Sequence, residues 1–224
     1  MNLFDILGPV MVGPSSSHTA GAVRMGQLAR ALLGQEPVKA EILLHGSFAS
    51  TGKGHGTPQA LVAGLLGLFP DDSRVPDSFA LAAERGLAYS FGTCALREAH
   101  PNSALLRLTG AEGGRTEVGA SSLGGGRVKV FRLDGMETSF SGELPTLVVH
   151  NTDQPGCVSQ VTGVLARRGV NVATLQLTRG GRGGSAVMVI ECDQPAGREA
   201  EEEIRALPGI LRVNSCAPEQ EVLV

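Results

Sequence analysis

Between Ala20 and Leu33 the apolar residues Val23, Met25, Leu28, Ala29, Leu32 and Leu33 recur at helical spacing. Such a stripe marks one face of an α-helix, so a helix is predicted over 20–33. Ser17 and Thr19 are candidate N-caps, because a hydroxyl there can accept an unpaired backbone N–H. Gly34 is placed to end the helix, since glycine takes up the left-handed conformation found there. The preceding residues, 1–19, read as strand or turn. From Val38 to Leu44 the period becomes two: Val38, Ala40, Ile42 and Leu44 alternate with Lys39 and Glu41, which predicts a strand. The glycine-rich stretch 45–57 reads as a loop. A second helix is predicted over Pro58–Phe69, with Leu61, Leu65 and Leu68 inward. Thr57 would cap it, and Pro58 would occupy its first position, where a missing N–H costs nothing. Residues 71–77 form a connection, and Ser78–Ala88 reads as an Ala-rich third helix. Short strands follow over 104–109, 115–122, 127–133 and 136–140. Gly113-Gly114, Gly124-Gly125-Gly126 and Asp134-Gly135 separate them as turns.

The pattern shifts at Ser141-Gly142-Glu143. Beyond it come a strand (LPTLVVHN), a turn (TDQPG) and a helix with Val158, Val161, Val164 and Leu165 inward, stopped by Gly169. Then follow two strands flanking GGRGG, a charged helix (REAEEEIRAL) and a last strand (GILRVNSC). The order βαββαβ is the ferredoxin-like supersecondary pattern. The expected fold class is therefore α+β, with one domain over 1–141 and a second over 144–224.

Composition narrows the function. The chain has 224 residues, is 42% hydrophobic and 18% charged, and carries a net charge of -3. Without a basic run, no nucleic-acid partner is expected. No uninterrupted apolar stretch reaches about 18 residues, so no membrane span is expected. The N-terminal residues lack a charged leader and a cleavage site, so cytoplasmic residence is expected. Cys94, Cys157, Cys192 and Cys216 form no C-x-x-C pair and fit neither zinc nor ferredoxin spacing. No metal ligand set is expected in this chain.

Four segments carry candidate chemistry. Gly13–Gly21 (GPSSSHTAG) sets Ser15, Ser16, Ser17, His18 and Thr19 before a helix. Hydroxyls and free N–H groups there suit a carboxylate, and His18 titrates near neutrality. The same residues also read as ordinary caps of a polar turn. His45–Thr57 (HGSFASTGKGHGT) alternates Gly52, Gly54 and Gly56 with Lys53 and His55, leaving both side chains on backbone that can pass close to a ligand. A phosphate loop needs four residues between its glycines and a Ser or Thr after the lysine, and this segment has neither. Ser50-x-x-Lys53 matches an acylating pair only as four letters. Pro101 biases His100 out of helical backbone, before Asn102. A structural role for His100 is equally open. Ser121–Arg127 (SSLGGGR) ends a strand in three glycines, near Ser122.

Together these segments resemble the beta chain of the iron–sulfur L-serine dehydratases, from Phe4 to about Phe140. The part after Leu144 resembles an ACT domain, carried by LVVHN, Asp153-Gln154-Pro155-Gly156, Arg168–Val172 and Pro208-Gly209-Ile210. The first resemblance implies a fold like the allosteric substrate-binding domain of some phosphoglycerate dehydrogenases. It also implies a [4Fe–4S] cluster held by the cysteines of a separate alpha chain, the partner here. The ACT resemblance implies side-by-side pairing and a small amino acid bound at Asn151, Asp153 and Gly156. A module used for dimerisation alone is also open. Homodimerisation is expected through the ACT domain, the N-terminal domain or both.

The implied reaction converts L-serine to pyruvate and ammonia. A base must remove the Cα proton and an acid can assist hydroxide departure. His55, His100 and His18 are the candidates, with His55 favoured as base. Ser15, Ser16, Ser17 and Thr19 would hold the substrate, with Lys53 and Asn102 as orienting neighbours and Ser122 closing the pocket. The alternative is a non-catalytic amino-acid-sensing module.

Overall fold

The computed structural model describes residues 10–217. Residues 1–9, read above as part of a strand or turn, lie outside them, as do residues 218–224. The chain divides into two compact units between Asp134 and Gly135.

In the first unit a π-helical turn, Ser16–Ala20, runs into helix α1, Gly21–Leu33. Then come β1 (Pro37–His45), α2 (Gly46–Thr51), a 3₁₀ turn (Gly52–His55) and α3 (Thr57–Leu65). A further 3₁₀ turn, Val75–Asp77, leads to α4 (Ser78–Glu84) and β2 (Ala88–Thr93). Strands β3 (Asn102–Gly110), β4 (Arg115–Gly124) and β5 (Arg127–Leu133) complete the unit. The strands lie in the order β2-β1-β3-β4-β5. β1 is parallel to β2 and antiparallel to β3, and β3, β4 and β5 form an antiparallel meander. Ala40, Ile42, Leu44, Leu106, Leu108, Val118 and Ala120 are buried on the sheet. Val38 is exposed, at a register shift between Pro37 and Lys39.

Three elements differ from the sequence expectation. The stretch read as a loop at 45–57 is mostly helical, because Ser47 and Thr51 support one helical turn through their own backbone and side-chain bonds. α3 stops at Leu65, where the N–H of Leu66 already reaches back to both Val62 and Ala63. α4 stops at Glu84 because Gly86 turns left-handed (φ 71), and the residues after it enter a strand that the Ala-rich pattern concealed.

α1 and α3 pack on each other through glycine. A methyl group built on Gly26 would overlap the Leu61 carbonyl oxygen and lie 2.8 Å from the Leu65 nitrogen. One built on Gly64 would overlap the Val23 carbonyl oxygen. The two backbones therefore touch, with Met25, Ala29, Leu61 and Leu65 buried around the crossing.

The second unit begins with β6 (Met136–Phe140). It continues as β7 (Thr146–Thr152), α5 (Cys157–Arg167), β8 (Val172–Arg179), β9 (Ser185–Cys192), α6 (Arg198–Arg205) and β10 (Ile210–Cys216). The antiparallel sheet has the order β10-β7-β9-β8, the ferredoxin-like arrangement. Leu147, Val149, Met188, Ile190 and Val213 form its core with Val161, Val164, Leu165 and Ile204 from the helices. No helix among the described residues is long and apolar enough to cross a membrane.

Overpacking a close crossing costs about 1–3 kcal/mol, so Gly64→Ala and Gly26→Ala should each lower the unfolding free energy from urea titration by that order. Gly54→Ala has open space around it and should stay within about 0.5 kcal/mol of the wild type in the same titration.

Candidate active site

Antiparallel pairing gathers strand ends that are far apart in sequence. His45 at the end of β1 pairs with Ser103 at the start of β3, and Ser103 pairs with Ser121 near the end of β4. The segments leaving this end of the sheet are 46–57, the 94–101 connection and the Gly124–Gly126 turn. The π-helical turn joins them. Its wide geometry, with the Gly21 N–H reaching Ser16 O, is the kind of local insertion that often marks functional positions.

Ser15 caps the turn: its Oγ accepts the His18 N–H at 3.1 Å. The expected caps do something else. Thr19 Oγ1 donates to the His55 carbonyl oxygen at 3.4 Å. Ser16 Oγ accepts the Gly125 N–H at 3.3 Å, and Ser17 Oγ stands beside Gly124. Thr57, expected to cap α3, is fully buried, and its hydroxyl donates to the His18 carbonyl oxygen at 3.1 Å. A threonine after each histidine thus holds the backbone of the other.

The consequence is that two imidazoles meet. The His18 and His55 rings are 4.9 Å apart, and Phe48 packs edge-on against His18 at 5.2 Å. His18 Nε2 lies 3.2 Å from Thr51 Oγ1 and 3.3 Å from Ser47 Oγ. Burial first, then the positive charge that His55 can carry, hold the His18 pKa below its ordinary value; a hydrogen bond with the Ser47 backbone opposes them. His18 is half-buried and His55 exposed, so the pair has one sheltered and one open member.

His100 makes no ring contact with that pair among the described residues, but its segment is tied to it. The Ser47 N–H donates to the Pro101 carbonyl oxygen at 2.8 Å. Asn102 gives its backbone N–H to His100 Nδ1 at 3.1 Å, so Nδ1 is an acceptor and the neutral ring carries its proton on Nε2. Ser103 Oγ donates to the His100 carbonyl oxygen at 2.5 Å and meets Ser121 Oγ at 2.8 Å. Lys53 lies exposed on the turn that presents His55. Ser122 is fully buried against Gly21, and its Oγ has no hydrogen-bond partner among the described residues. Sequence reading missed Ser47, Thr51 and Thr57. The signal available was a pair of hydroxyls four residues apart after Gly46, the spacing of one helical face.

In the second unit, Asn151 is buried. Its Nδ2 donates to Thr152 O at 2.7 Å, while Oδ1 has no partner among the described residues. Asp153 is engaged: its carboxylate accepts the Gly183 N–H at 2.9 Å and an Arg179 N–H at 3.2 Å, and these hold its pKa low, the Gly183 bond most. Gly156 (φ 97) precedes α5.

No three His, Cys, Asp or Glu side chains gather to hold a metal among the described residues. Cys157, Cys192 and Cys216 are buried in the second unit, where burial pushes Cys216 up to about 12. Cys94 stands in the first, with burial raising its pKa against the opposing effect of Arg107. These thiols do not fit a cluster as its ligands.

Residues 2–85 match the family model for the serine dehydratase beta chain, and residues 146–209 match that for the ACT domain. The chain is 39% identical over 216 residues to the probable L-serine dehydratase beta chain of Bacillus subtilis (strain 168), covering 96% of this chain and 98% of that one. It is 39% identical over 193 residues to the L-serine dehydratase beta chain of Peptoniphilus asaccharolyticus, covering 86% and 87%. A D-3-phosphoglycerate dehydrogenase of Mycobacterium tuberculosis is 25% identical over 177 residues, 76% of this chain and 33% of that one. With both family models matched in order and relatives aligned along almost the whole length, the chain belongs to the L-serine dehydratase beta-chain family and carries an ACT domain.

Proposed function

We propose that this chain supplies the acid/base and substrate-binding residues for elimination of water from L-serine, whose aminoacrylate product tautomerises and hydrolyses to pyruvate and ammonia, in a complex with an alpha chain whose cysteines hold a [4Fe–4S] cluster. The observation that carries this reading is the His18–His55 pair at one end of the sheet, ringed by hydroxyls. This chain's own thiols fit no cluster, so its part is confined to substrate and protons.

His55 is the exposed member of the pair and takes the Cα proton. Nothing in its surroundings buries it away from an incoming substrate. Ser15, Ser16, Ser17 and Thr19 lie at the start of α1, where N–H groups and the helix dipole favour a carboxylate. Lys53 and Asn102 orient, and the buried Ser122 hydroxyl keeps an unfilled bond. His100, with its proton on Nε2, suits the donor role toward the departing hydroxide better than the base role. The ACT domain binds a small amino acid, whose ammonium would supply the donor that Asn151 Oδ1 lacks. Pairing of two copies accompanies that binding.

The test is anaerobic co-expression with the cysteine-bearing partner and a pyruvate assay on L-serine. His55→Ala should lower kcat by about 10²–10⁴-fold, with far less effect on substrate binding. Unchanged turnover would remove His55 from the role, and absence of pyruvate from the intact complex would sink the activity itself.

The His18 pKa gives a second outcome. A lowered folded-state value means that the unfolded chain takes up the proton more readily, so stability is complete above the ordinary value of 6.5 and declines as pH falls through the lowered one. Urea midpoints followed by circular dichroism should therefore drop between about pH 7 and about pH 5 more in the wild type than in His18→Gln. Parallel curves would refute the assigned cause.

A further inference from the structure

A neutral imidazole has two nitrogens and one proton, so a base of this kind works only if the lone pair is at the right atom. The contacts of His18 fix which atom that is. Its Nε2 faces two hydroxyls, Thr51 Oγ1 at 3.2 Å and Ser47 Oγ at 3.3 Å. Both sit on α2, one turn apart and 3.1 Å from each other. Thr51 Oγ1 is also 2.9 Å from the Ser47 carbonyl oxygen, which can only accept. This is the back-bond that threonine commonly makes to the residue four before it. A hydroxyl has one proton, and that bond uses it. Any other hydrogen bond at Thr51 Oγ1 must then be donated to it. With both remaining contacts made as hydrogen bonds, the Ser47 hydroxyl and a His18 Nε2–H fill its two lone pairs.

We propose that Thr51 is a positioning residue for His18: its hydroxyl, committed as donor to the Ser47 carbonyl, accepts the imidazole proton at Nε2 and leaves the lone pair on Nδ1. Other contacts keep the ring from escaping this arrangement. Phe48 and His55 flank it at 5.2 Å and 4.9 Å, and the Thr57 hydroxyl holds the His18 carbonyl. The Ser47 N–H, bonded to Pro101 O, anchors the start of α2. His18 can therefore accept a proton only at Nδ1. That this matters for L-serine rests on the function proposed above; the tautomer itself does not.

Long-range ¹H–¹⁵N spectra of the full chain read the tautomer directly, in the pH range where His18 is neutral. Its resonances are assigned by their loss in His18→Gln. The wild type should show a protonated shift at Nε2 and an unprotonated one at Nδ1. In Thr51→Val, which keeps the shape of an exposed side chain without its hydroxyl, the two shifts should move toward each other; Thr51→Ser should restore the wild-type pattern. A proton on Nδ1 in the wild type, or an unaltered pattern in Thr51→Val, overturns the proposal. In the complex with the alpha chain, Thr51→Val should lower kcat about tenfold or more with KM little changed, and Thr51→Ser should recover it. Unchanged kcat overturns the positioning role. If the complex makes no pyruvate in any form, the proposed function fails, while the spectra still decide the tautomer.

Discussion

The direct contact of two helix backbones at Gly26 and Gly64 is the constraint on which the site depends. α1 and α3 each begin just behind a histidine, so the separation of the helices sets the separation of the rings. Interiors are close-packed and respond to a single methylene. A Cβ at either glycine would meet a carbonyl oxygen rather than the end of a side chain that could swing away. The helices would have to part, and the His18 and His55 segments would part with them. The exchange of hydroxyl bonds from Thr19 to His55 and from Thr57 to His18 then finishes locally what the glycine crossing begins.

Magnitudes divide the work between these contacts. A neutral hydrogen bond contributes about 1 kcal/mol net, too little to force two helices together against poor packing. It is enough to bias two tautomers of similar energy about fivefold. Packing therefore places the imidazoles, and hydroxyls decide their protons. The same division explains why Ser47 and Thr51 lie on a single turn of helix rather than in the loose loop that the glycines of this stretch imply.

The elements with a sustained apolar period were legible in the sequence. The stripe over 20–33, the alternation in β1 and the whole βαββαβ order after Leu144 follow from side-chain spacing alone. What failed has a common cause. α2 has one buried apolar residue, Phe48, and therefore no stripe to count. β2 begins only three residues after an Ala-rich helix, across Arg85, the left-handed Gly86 and Leu87. The caps were misassigned because Thr19 and Thr57 make their bonds to segments 36 and 39 residues away, and no local rule reports such partners. Histidines in glycine-loosened segments could be marked as candidates from spacing, but their pairing needed the fold.

The chemistry of the named site residues also constrains what can enter. Those of the first unit are hydroxyls, an amide, a lysine and three imidazoles, with no carboxylate among them. A carboxylate base would repel an anionic substrate group at close range, and its ordinary pKa of about 4 makes it a weak base at neutral pH. An imidazole is neutral before it acts and becomes positive only after taking a proton. In the proposed reaction charge would then develop next to the substrate carboxylate rather than being present beforehand. In the pair, protonation of one ring opposes protonation of the other, so only one can readily act as the acceptor in a given turnover. In the proposed elimination the exposed ring would meet the substrate, while burial disfavours the charged form of the sheltered one.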